Sequence, residues 1–170
     1  MEKRNVTVSA IVAAIVLIGD QLSKHWAETW LRTNGEYKIW DGVQQLRYVQ
    51  NRGAAFGMMQ GGKWFFLAIT GIACAAMLYF LIKERKRLHF MMTFSLALLL
   101  SGAIGNLIDR VALGYVRDMI YVALIDFAVF NVADMAVTVG CCLLVLDLLF
   151  FKGKKYMEMM DKKPQTGENS

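Results

Sequence analysis

Four long apolar stretches constrain this chain more than any other feature of its sequence. They cover residues 6–26, 64–82, 90–108 and 129–151, and each is close to the about 20 residues that a helix needs to cross a bilayer. A surface helix of a soluble protein is apolar on one face only, whereas these stretches are apolar around the whole circumference. With 56% hydrophobic residues overall, the sequence predicts an all-α membrane protein with four transmembrane helices.

Basic residues beside these stretches predict how the chain is oriented. Lys3 and Arg4 precede the first stretch, residues 83–87 separate the second from the third, and residues 152–155 follow the fourth. The positive-inside rule makes this side cytoplasmic, so both termini are expected there. These clusters account for the net charge of +5, and no aromatic and basic motif indicates nucleic-acid binding.

Two segments are then expected on the outer side, about residues 27–63 and 109–128. Within the first, residues 43–50 partly alternate between apolar and polar side chains, which predicts a half-buried strand in a small extracytoplasmic sheet on the membrane surface. We expect one four-helix transmembrane domain over residues 1–155 and a polar cytoplasmic tail over 156–170, with mobility beginning near Lys152.

The beginning of the chain and its cysteines need separate treatment. A basic start followed by an apolar run resembles a secretory signal peptide, but no small-x-small cleavage site follows, so the first helix is expected to be retained. Cys74, Cys141 and Cys142 lie in apolar stretches without metal-ligand spacing. They are expected to be small buried hydrophobic residues rather than disulfide or zinc ligands.

Ionisable residues inside a span are unfavourable and usually mark function. Asp20 and Lys24 are four residues apart at the outer end of the first stretch, so they share a helix face. Either they form a helix-end ion pair that helps insertion or packing, or they belong to a functional site. At the end of the third stretch Asn106, Asp109 and Arg110 also share a face, and an Asp109–Arg110 pair is expected to orient a site through charged hydrogen bonds.

Small residues precede this polar group. Ser101, Gly102, Ala103 and Gly105 are typical of a surface on which another membrane helix approaches closely.

A second group of carboxylates is expected at the same outer rim. Asn131 and Asp134 share a face near the start of the fourth stretch, and Asp118 precedes them in an otherwise apolar part of the outer segment. Asp126 is expected to be a loop charge. Two carboxylates can share a proton, one serving as base and the other as acid. From spacing alone, an aspartic hydrolase and a proton-coupled transporter both remain open, and a structural assembly factor would need no paired acids.

Five short motifs follow one another between Asp20 and Asp134. They are Asp20-Gln-x-x-Lys24, Asn51-x-Gly53-x-x-Phe56, Gly102-x-x-Gly105-Asn106-Leu-Ile-Asp109-Arg110, Val116-x-Asp118 and Phe130-Asn131-x-Ala133-Asp134. In this order they resemble the motifs of the bacterial lipoprotein signal peptidases, also called signal peptidase II. Ser101 is a small departure, because many members have a further glycine there.

This resemblance implies an intramembrane aspartic endopeptidase that removes the signal peptide from prolipoproteins, cutting just before the cysteine that carries a diacylglyceryl group. It implies Asp118 and Asp134 as the catalytic dyad, with the site at the extracytoplasmic face of the bacterial cytoplasmic membrane. Lipid-modified prolipoproteins and membrane lipid are the implied partners, with no metal or organic cofactor, and the oligomeric state stays open. The residues that would bind substrate or support the site are Asp20, Lys24, Asn51, Gly53, Asn106, Asp109, Arg110 and Asn131.

The resemblance and the placement of the acids together disfavour the transporter. A transporter needs a path open to both sides in turn, whereas the acidic groups of this sequence cluster at the outer end of the spans.

Overall fold

Each apolar stretch folds as a single helix, because backbone groups in hydrocarbon must find their hydrogen-bond partners within the segment. A computed structural model of the protein describes residues 2–53 and 62–161. The four long helices are α1 (Glu2–Trp26), α3 (Lys63–Glu84), α4 (Phe90–Ala112) and α5 (Val132–Phe150). All four are long and apolar enough to cross a membrane, which confirms the predicted fold class.

Helix α4 is the centre of the bundle. It packs against α5, α1 and α3. More than half of its apolar part is buried, whereas the apolar residues of α3 are half-buried or exposed at the edge of the bundle. Cys141 and Cys142 are also exposed and Cys74 is half-buried, all three as free thiols. The expectation of buried cysteines was therefore wrong, because lipid covers much of the apolar surface that a protein core would cover in water.

Glycines set the distance between α4 and its two neighbours, as their spacing predicted. A Cβ atom on Gly102 would clash with the backbone oxygen of Ala133 on α5. A Cβ atom on Gly105 would lie 2.6 Å from the carboxylate oxygen Oδ2 of Asp20 on α1. Because any larger residue would push these helices apart, both glycines bring the polar residues of three helices within contact distance.

The chain leaves α1 through a π-helical turn, Ala27–Leu31, and a short helix α2, Arg32–Asn34. It then forms a three-stranded antiparallel sheet from β1 (Tyr37–Trp40), β2 (Gln44–Asn51) and β3 (Val116–Val122), in the order β1-β2-β3. Strand β2 confirms the strand expected at residues 43–50. The sheet lies at the end of the bundle where α1 and α4 finish and α5 begins.

A last helix, α6 (Lys152–Asp161), covers the opposite end of the bundle. Tyr156 is buried with Leu88 and Met92, and its ring meets Phe80 edge-on. The segment Lys152–Asp161, expected to begin a mobile tail, is therefore a helix that packs on the bundle through the large aromatic side chain of Tyr156. The rest of the expected polar tail, from residue 162, lies outside the described residues.

Candidate active site

Asp118 is positioned by the sheet. It lies in β3 directly opposite Val49 of the central strand β2, and only 1% of it is exposed. Asn51, at the end of β2, donates from Nδ2 to Asp118 Oδ2 over 3.0 Å. Strand pairing thus fixes the backbone of Asp118, and the amide of the neighbouring strand fixes its carboxylate.

Asp134 is positioned by the first turn of α5. Asn131 is the N-cap, and its Oδ1 accepts from the backbone N–H of Asp134 over 3.0 Å. In return Asp134 Oδ2 accepts from the backbone N–H of Asn131 over 3.1 Å. This reciprocal arrangement is a capping box, which satisfies two backbone donors that a helix start leaves free. It also holds the Asp134 side chain in one orientation.

Amide side chains connect the two carboxylates. Asn131 Nδ2 donates to Asp118 Oδ1 over 2.6 Å, so one asparagine contacts Asp118 with its side chain and Asp134 with its backbone. Asn106 on α4 donates from Nδ2 to Asp134 Oδ1 over 2.7 Å. Both aspartates line a cavity of about 530 Å³. The structure thus brings together the two carboxylates that the sequence placed at one rim.

The electrostatics of Asp118 differ from those of an exposed aspartate. Burial raises the pKa of Asp118 to about 7, and the negative charge of Asp134 raises it further. Hydrogen bonds from Asn51 and Asn131 oppose this shift, because they favour the ionised form. A pKa near 7 means that Asp118 exchanges its proton in the neutral range, as an acid–base catalyst requires.

Asp20 and Lys24 form the predicted pair, with Lys24 Nζ 2.8 Å from Asp20 Oδ2 and both side chains buried. Lys24 Nζ also donates to Asn106 Oδ1 over 2.9 Å. Asp20 Oδ1 accepts from the backbone N–H of Ala133 over 2.9 Å. The pair therefore ties α1 to α4 and to the start of α5, next to the residues that hold Asp134, rather than serving only as a helix-end ion pair.

The prediction of an ion pair between Asp109 and Arg110 is wrong. Asp109 instead binds Arg117 of β3, with Oδ1 2.8 Å from Nη2 and Oδ2 3.1 Å from Nε. Adjacent residues of a helix point about 100° apart, so Asp109 turns toward β3 while Arg110 turns toward the cavity. The Arg110 guanidinium lies 5.3 Å from the centre of the Phe66 ring, and its Nη2 donates to the backbone oxygen of Gly53 over 3.4 Å.

Arg117 was not identified from the sequence, although it precedes Asp118 directly. Its guanidinium also donates to Glu28 Oε2 over 3.0 Å and to Gln21 Oε1 over 3.2 Å. Its hydrogen bonds to Asp109 hold the pKa of Arg117 above its usual range. The available signal was an arginine inside an apolar segment, because a buried cation requires a partner.

The remaining expected residues lie around this centre. Gly53 donates its backbone N–H to Asn51 Oδ1 over 3.0 Å, a local turn that orients the Asn51 amide toward Asp118. Asp126 is an exposed loop charge as expected, and it accepts from the Tyr121 hydroxyl over 2.6 Å. Phe56, part of the second motif, lies outside the described residues. Within residues 2–53 and 62–161, His, Cys, Asp and Glu side chains form no group of three or more that could hold a metal ion.

Fold and site together define a polytopic membrane protein with two linked aspartates between its helix ends and a small sheet. The chain belongs to the signal peptidase II family, since the family described as Signal peptidase (SPase) II matches residues 12–150. It is therefore a protease of a bacterial membrane family, which decides against the transporter.

Individual relatives agree with this assignment. The chain is 47% identical to the lipoprotein signal peptidase of Streptococcus thermophilus over 142 residues, which is 83% of this chain and 92% of the relative. It is 40% identical to the lipoprotein signal peptidase of Symbiobacterium thermophilum over 149 residues, which is 86% of this chain and 97% of the relative. Two solved structures, both described as bacterial membrane enzymes, have the same fold. One has a TM-score of 0.78 at 32% identity and covers 95% of both chains. The other has a TM-score of 0.75 at 34% identity and covers 85% of this chain and 94% of the other.

Proposed function

We propose that this protein is an intramembrane aspartic endopeptidase that removes the signal peptide from diacylglyceryl-modified prolipoproteins, cutting before the lipidated cysteine. Relatives named lipoprotein signal peptidase support the substrate class. The observation that carries the aspartic mechanism is the linkage of Asp118 and Asp134 through Asn131 at one cavity. Such a pair can keep one shared proton at neutral pH, because two adjacent carboxylates do not both ionise easily.

The two aspartates then divide the chemistry. Asp118, with its pKa near 7, holds the proton at rest and donates it to the oxygen of the scissile carbonyl. Asp134 accepts a proton from a water molecule as the water oxygen bonds to the carbonyl carbon. In the second step that proton passes to the leaving nitrogen, the carbon–nitrogen bond breaks, and Asp118 regains its proton from the collapsing intermediate.

Neighbouring residues would hold this arrangement and the substrate. Asn51, Asn106 and Asn131 orient the carboxylates, as their hydrogen bonds indicate. Arg110 lines the cavity and, among the described residues, has no carboxylate within ion-pair distance. We assign it to a carbonyl group of the substrate rather than to Asp109. Asp20, Lys24 and Asp109 act further out by fixing α1, α4 and β3 around the site, and Gly53 does so through its turn.

The form of the cavity supports a lipid-bearing substrate. Beyond the aspartates it runs along α5, where Met135, Val137 and Val139 line it. An apolar wall inside the membrane suits a signal peptide and acyl chains that never leave the bilayer. The interfacial site would hold the scissile bond at a fixed depth, and this positioning lowers the barrier only when the lipid is present.

The proposed orientation places both termini in the cytoplasm and the site at the extracytoplasmic face. It is supported by the three basic clusters and the positive-inside rule. The connection between α3 and α4 and the helix α6 share the end of the bundle opposite the sheet, so the basic clusters lie far from the aspartates.

The test is cleavage of a purified diacylglyceryl-modified prolipoprotein, compared with the same polypeptide without its lipid. We expect Asp118→Asn and Asp134→Asn each to lower kcat by roughly 10²–10⁴-fold, because each removes one proton-transfer group. The double variant should be little slower than either single variant, since the pair acts as a unit. Asp41→Asn, which changes an exposed acid in the turn between β1 and β2, is the matched control and should keep parental activity.

Two results would contradict the proposal. Near-parental turnover by a folded Asp118→Asn or Asp134→Asn protein would remove that residue from the dyad. Equal cleavage of lipidated and unlipidated substrate would show that the diacylglyceryl group is not recognised.

A further inference from the structure

A second cavity, of about 420 Å³, begins at Asp118 on the side away from α5. Both cavities are lined by Asp118 and Asn51 and by residues 127–129. The first cavity continues along α5, whereas every residue that lines the second lies outside the four long helices. Asp118 therefore lies at the junction between a cavity that follows α5 and a cavity lined by strands β2 and β3 and their adjoining loops.

A substrate of the proposed reaction has the same asymmetry. On one side of the scissile bond is the apolar signal peptide, and the diacylglyceryl group also belongs in the bilayer. On the other side, after the modified cysteine, the polypeptide must pass into water. Because the bond has to lie at Asp118, the two cavities can receive the two sides of the substrate separately.

We propose that the second cavity binds the first residues of the mature polypeptide, immediately after the lipidated cysteine, and that Arg47 and Arg52 make it select acidic side chains there. This inference rests on the proposed function. It adds a subsite and a charge preference that the catalytic mechanism does not require.

The charges around this cavity support an acidic ligand. Both Arg47 and Arg52 line it. Among the described residues Arg52 has no carboxylate within ion-pair distance, and its guanidinium lies 5.8 Å from the centre of the Tyr115 ring. The carboxylate closest to Arg47 is that of Glu36, at 3.5 Å between exposed side chains. Both guanidinium groups thus have hydrogen-bonding capacity left for a carboxylate of the substrate.

The negative groups at the cavity do not cancel this charge. Asp126 is the loop acid there, and its carboxylate accepts a short hydrogen bond from the Tyr121 hydroxyl. Arg47 stacks over the same ring at 4.0 Å from its centre. Burial raises the pKa of Asp118 at the junction to about 7, so this carboxyl group is only partly ionised at neutral pH. Two arginines therefore face one loop carboxylate and one partly ionised aspartate, while Glu36 contacts Arg47 from outside the cavity lining.

The test uses synthetic lipopeptides that carry a dipalmitoylglyceryl cysteine and differ only in the two residues after it: Asp-Asp, Asn-Asn or Lys-Lys. Two substrates compete in one reaction, and the ratio of their kcat/KM values is measured from the products. This ratio does not depend on how much of a variant enzyme is folded, so a loss of stability cannot imitate a loss of selectivity.

We expect the parent enzyme to prefer Asp-Asp over Asn-Asn by about fivefold at low salt, as two partly exposed charge contacts would give. Arg47→Gln and Arg52→Gln should each lower this ratio by about half, the double variant should bring it close to one, and added salt should do the same. Lys38→Gln is the matched control. It removes one positive charge from the same sheet, but Lys38 pairs with Asp41 away from the cavity, so its ratio should equal that of the parent.

Equal cleavage of the three substrates by the parent, or a preference that Arg47→Gln and Arg52→Gln leave unchanged, would overturn the inference while leaving the proposed function intact. A charge preference that Lys38→Gln weakens equally would show only the general field of the outer surface, and would also overturn it. Failure of the proposed function is distinguishable, because none of the lipopeptides would then be cleaved at the cysteine.

Discussion

Arg117 offers the most demanding prediction, because it was found only in the structure and holds the strand of Asp118. Its contacts with Asp109 are buried, with 10% of the Arg117 side chain and none of the Asp109 side chain exposed. Its backbone N–H also donates to Asp109 Oδ2 over 2.9 Å. Arg117→Met keeps much of the side-chain volume but removes the charge, so it leaves the Asp109 carboxylate buried without its main partner.

The magnitude follows from what remains around Asp109. Breaking a buried pair by removing one partner destabilises a protein by about 3–5 kcal/mol. Lys24 Nζ, 3.8 Å from Asp109 Oδ2, compensates only in part, because it already binds Asp20. The lost contact with Glu28 adds little, since that carboxylate is partly exposed and can be hydrated. We therefore expect Arg117→Met to lower the free energy of unfolding by about 3 kcal/mol.

The assay is reversible unfolding in detergent micelles, combined with steady-state kinetics on lipidated substrate. Arg117→Lys keeps the charge but loses the planar guanidinium group. Its free energy of unfolding should therefore lie between that of Arg117→Met and that of the parent. A double-mutant cycle with Asp109→Asn should show a coupling of about 2 kcal/mol or more, because the two residues are in direct contact. In the folded fraction kcat should fall with little change in KM, since the affected strand carries Asp118 and not the apolar cavity wall.

Lys38→Met, at an exposed ion pair on β1, is the control and should unfold like the parent. The reasoning would be refuted if Arg117→Met were as stable as the parent and the cycle showed no coupling. Asp109 would then be held by Lys24 instead. A fall in stability with kcat unchanged per folded molecule would limit Arg117 to a structural role.

Three further predictions follow from other parts of the structure. Gly102→Ala should destabilise the protein by about 1–3 kcal/mol, because the new methyl group meets the backbone of α5. Gly71→Ala on α3 places its methyl group in open space and should be neutral. Equal stability of the two variants would contradict the close approach of α4 and α5. The native state holds the Asp118 proton up to about pH 7, against an ordinary pKa of 3.8, so native-state stability should fall as pH rises from about 4 to 7. The Tm of Asp118→Asn, measured relative to that of the parent, should therefore rise over that pH range. A difference in Tm that does not change with pH would argue against a raised pKa of Asp118. Single cysteines introduced near Glu36 and near Glu84 should differ in intact cells, only the first reacting with an impermeant thiol reagent; reaction at the second alone would reverse the orientation.

The helices could be predicted because the bilayer sets their length. Each predicted stretch lies within a few residues of α1, α3, α4 or α5, since apolar composition alone decides which segments enter hydrocarbon. Strand β2 was visible because its side chains alternate in character. Strand β3 was not, because its first four residues are all buried, so no alternation marks the strand.

The contacts of the candidate site could be predicted where the interacting residues lie close together in the sequence. They could not be predicted where the partners come from distant segments. Asp20 and Lys24 are neighbours on one helix turn, and their pairing follows from the helix period. Asp109 and Arg110 are adjacent in sequence, but the same period points them in different directions. The partner of Asp109 comes from a strand that a turn brings back beside α4. Similarly, composition alone could not show that Tyr156 packs α6 against the bundle, because the helix is otherwise largely polar.

The distribution of the buried cations supports the proposal that the aspartates act as a pair. Lys24 lies between Asp20 and the Asn106 amide oxygen, and Arg117 is saturated by Asp109, Glu28 and Gln21. Both cations are thus committed to other carboxylates, and neither reaches ion-pair distance of the dyad. The direct hydrogen bonds to Asp118 and Asp134 come from neutral amides. A full ion pair would lock a carboxylate in its ionised form, whereas amide donors orient it and leave it able to take up a proton. On this argument, Asn131→Asp should impair catalysis more than its small change in shape suggests. It would replace the linking amide by a third carboxylate and remove the donor that holds Asp118 beside Asp134.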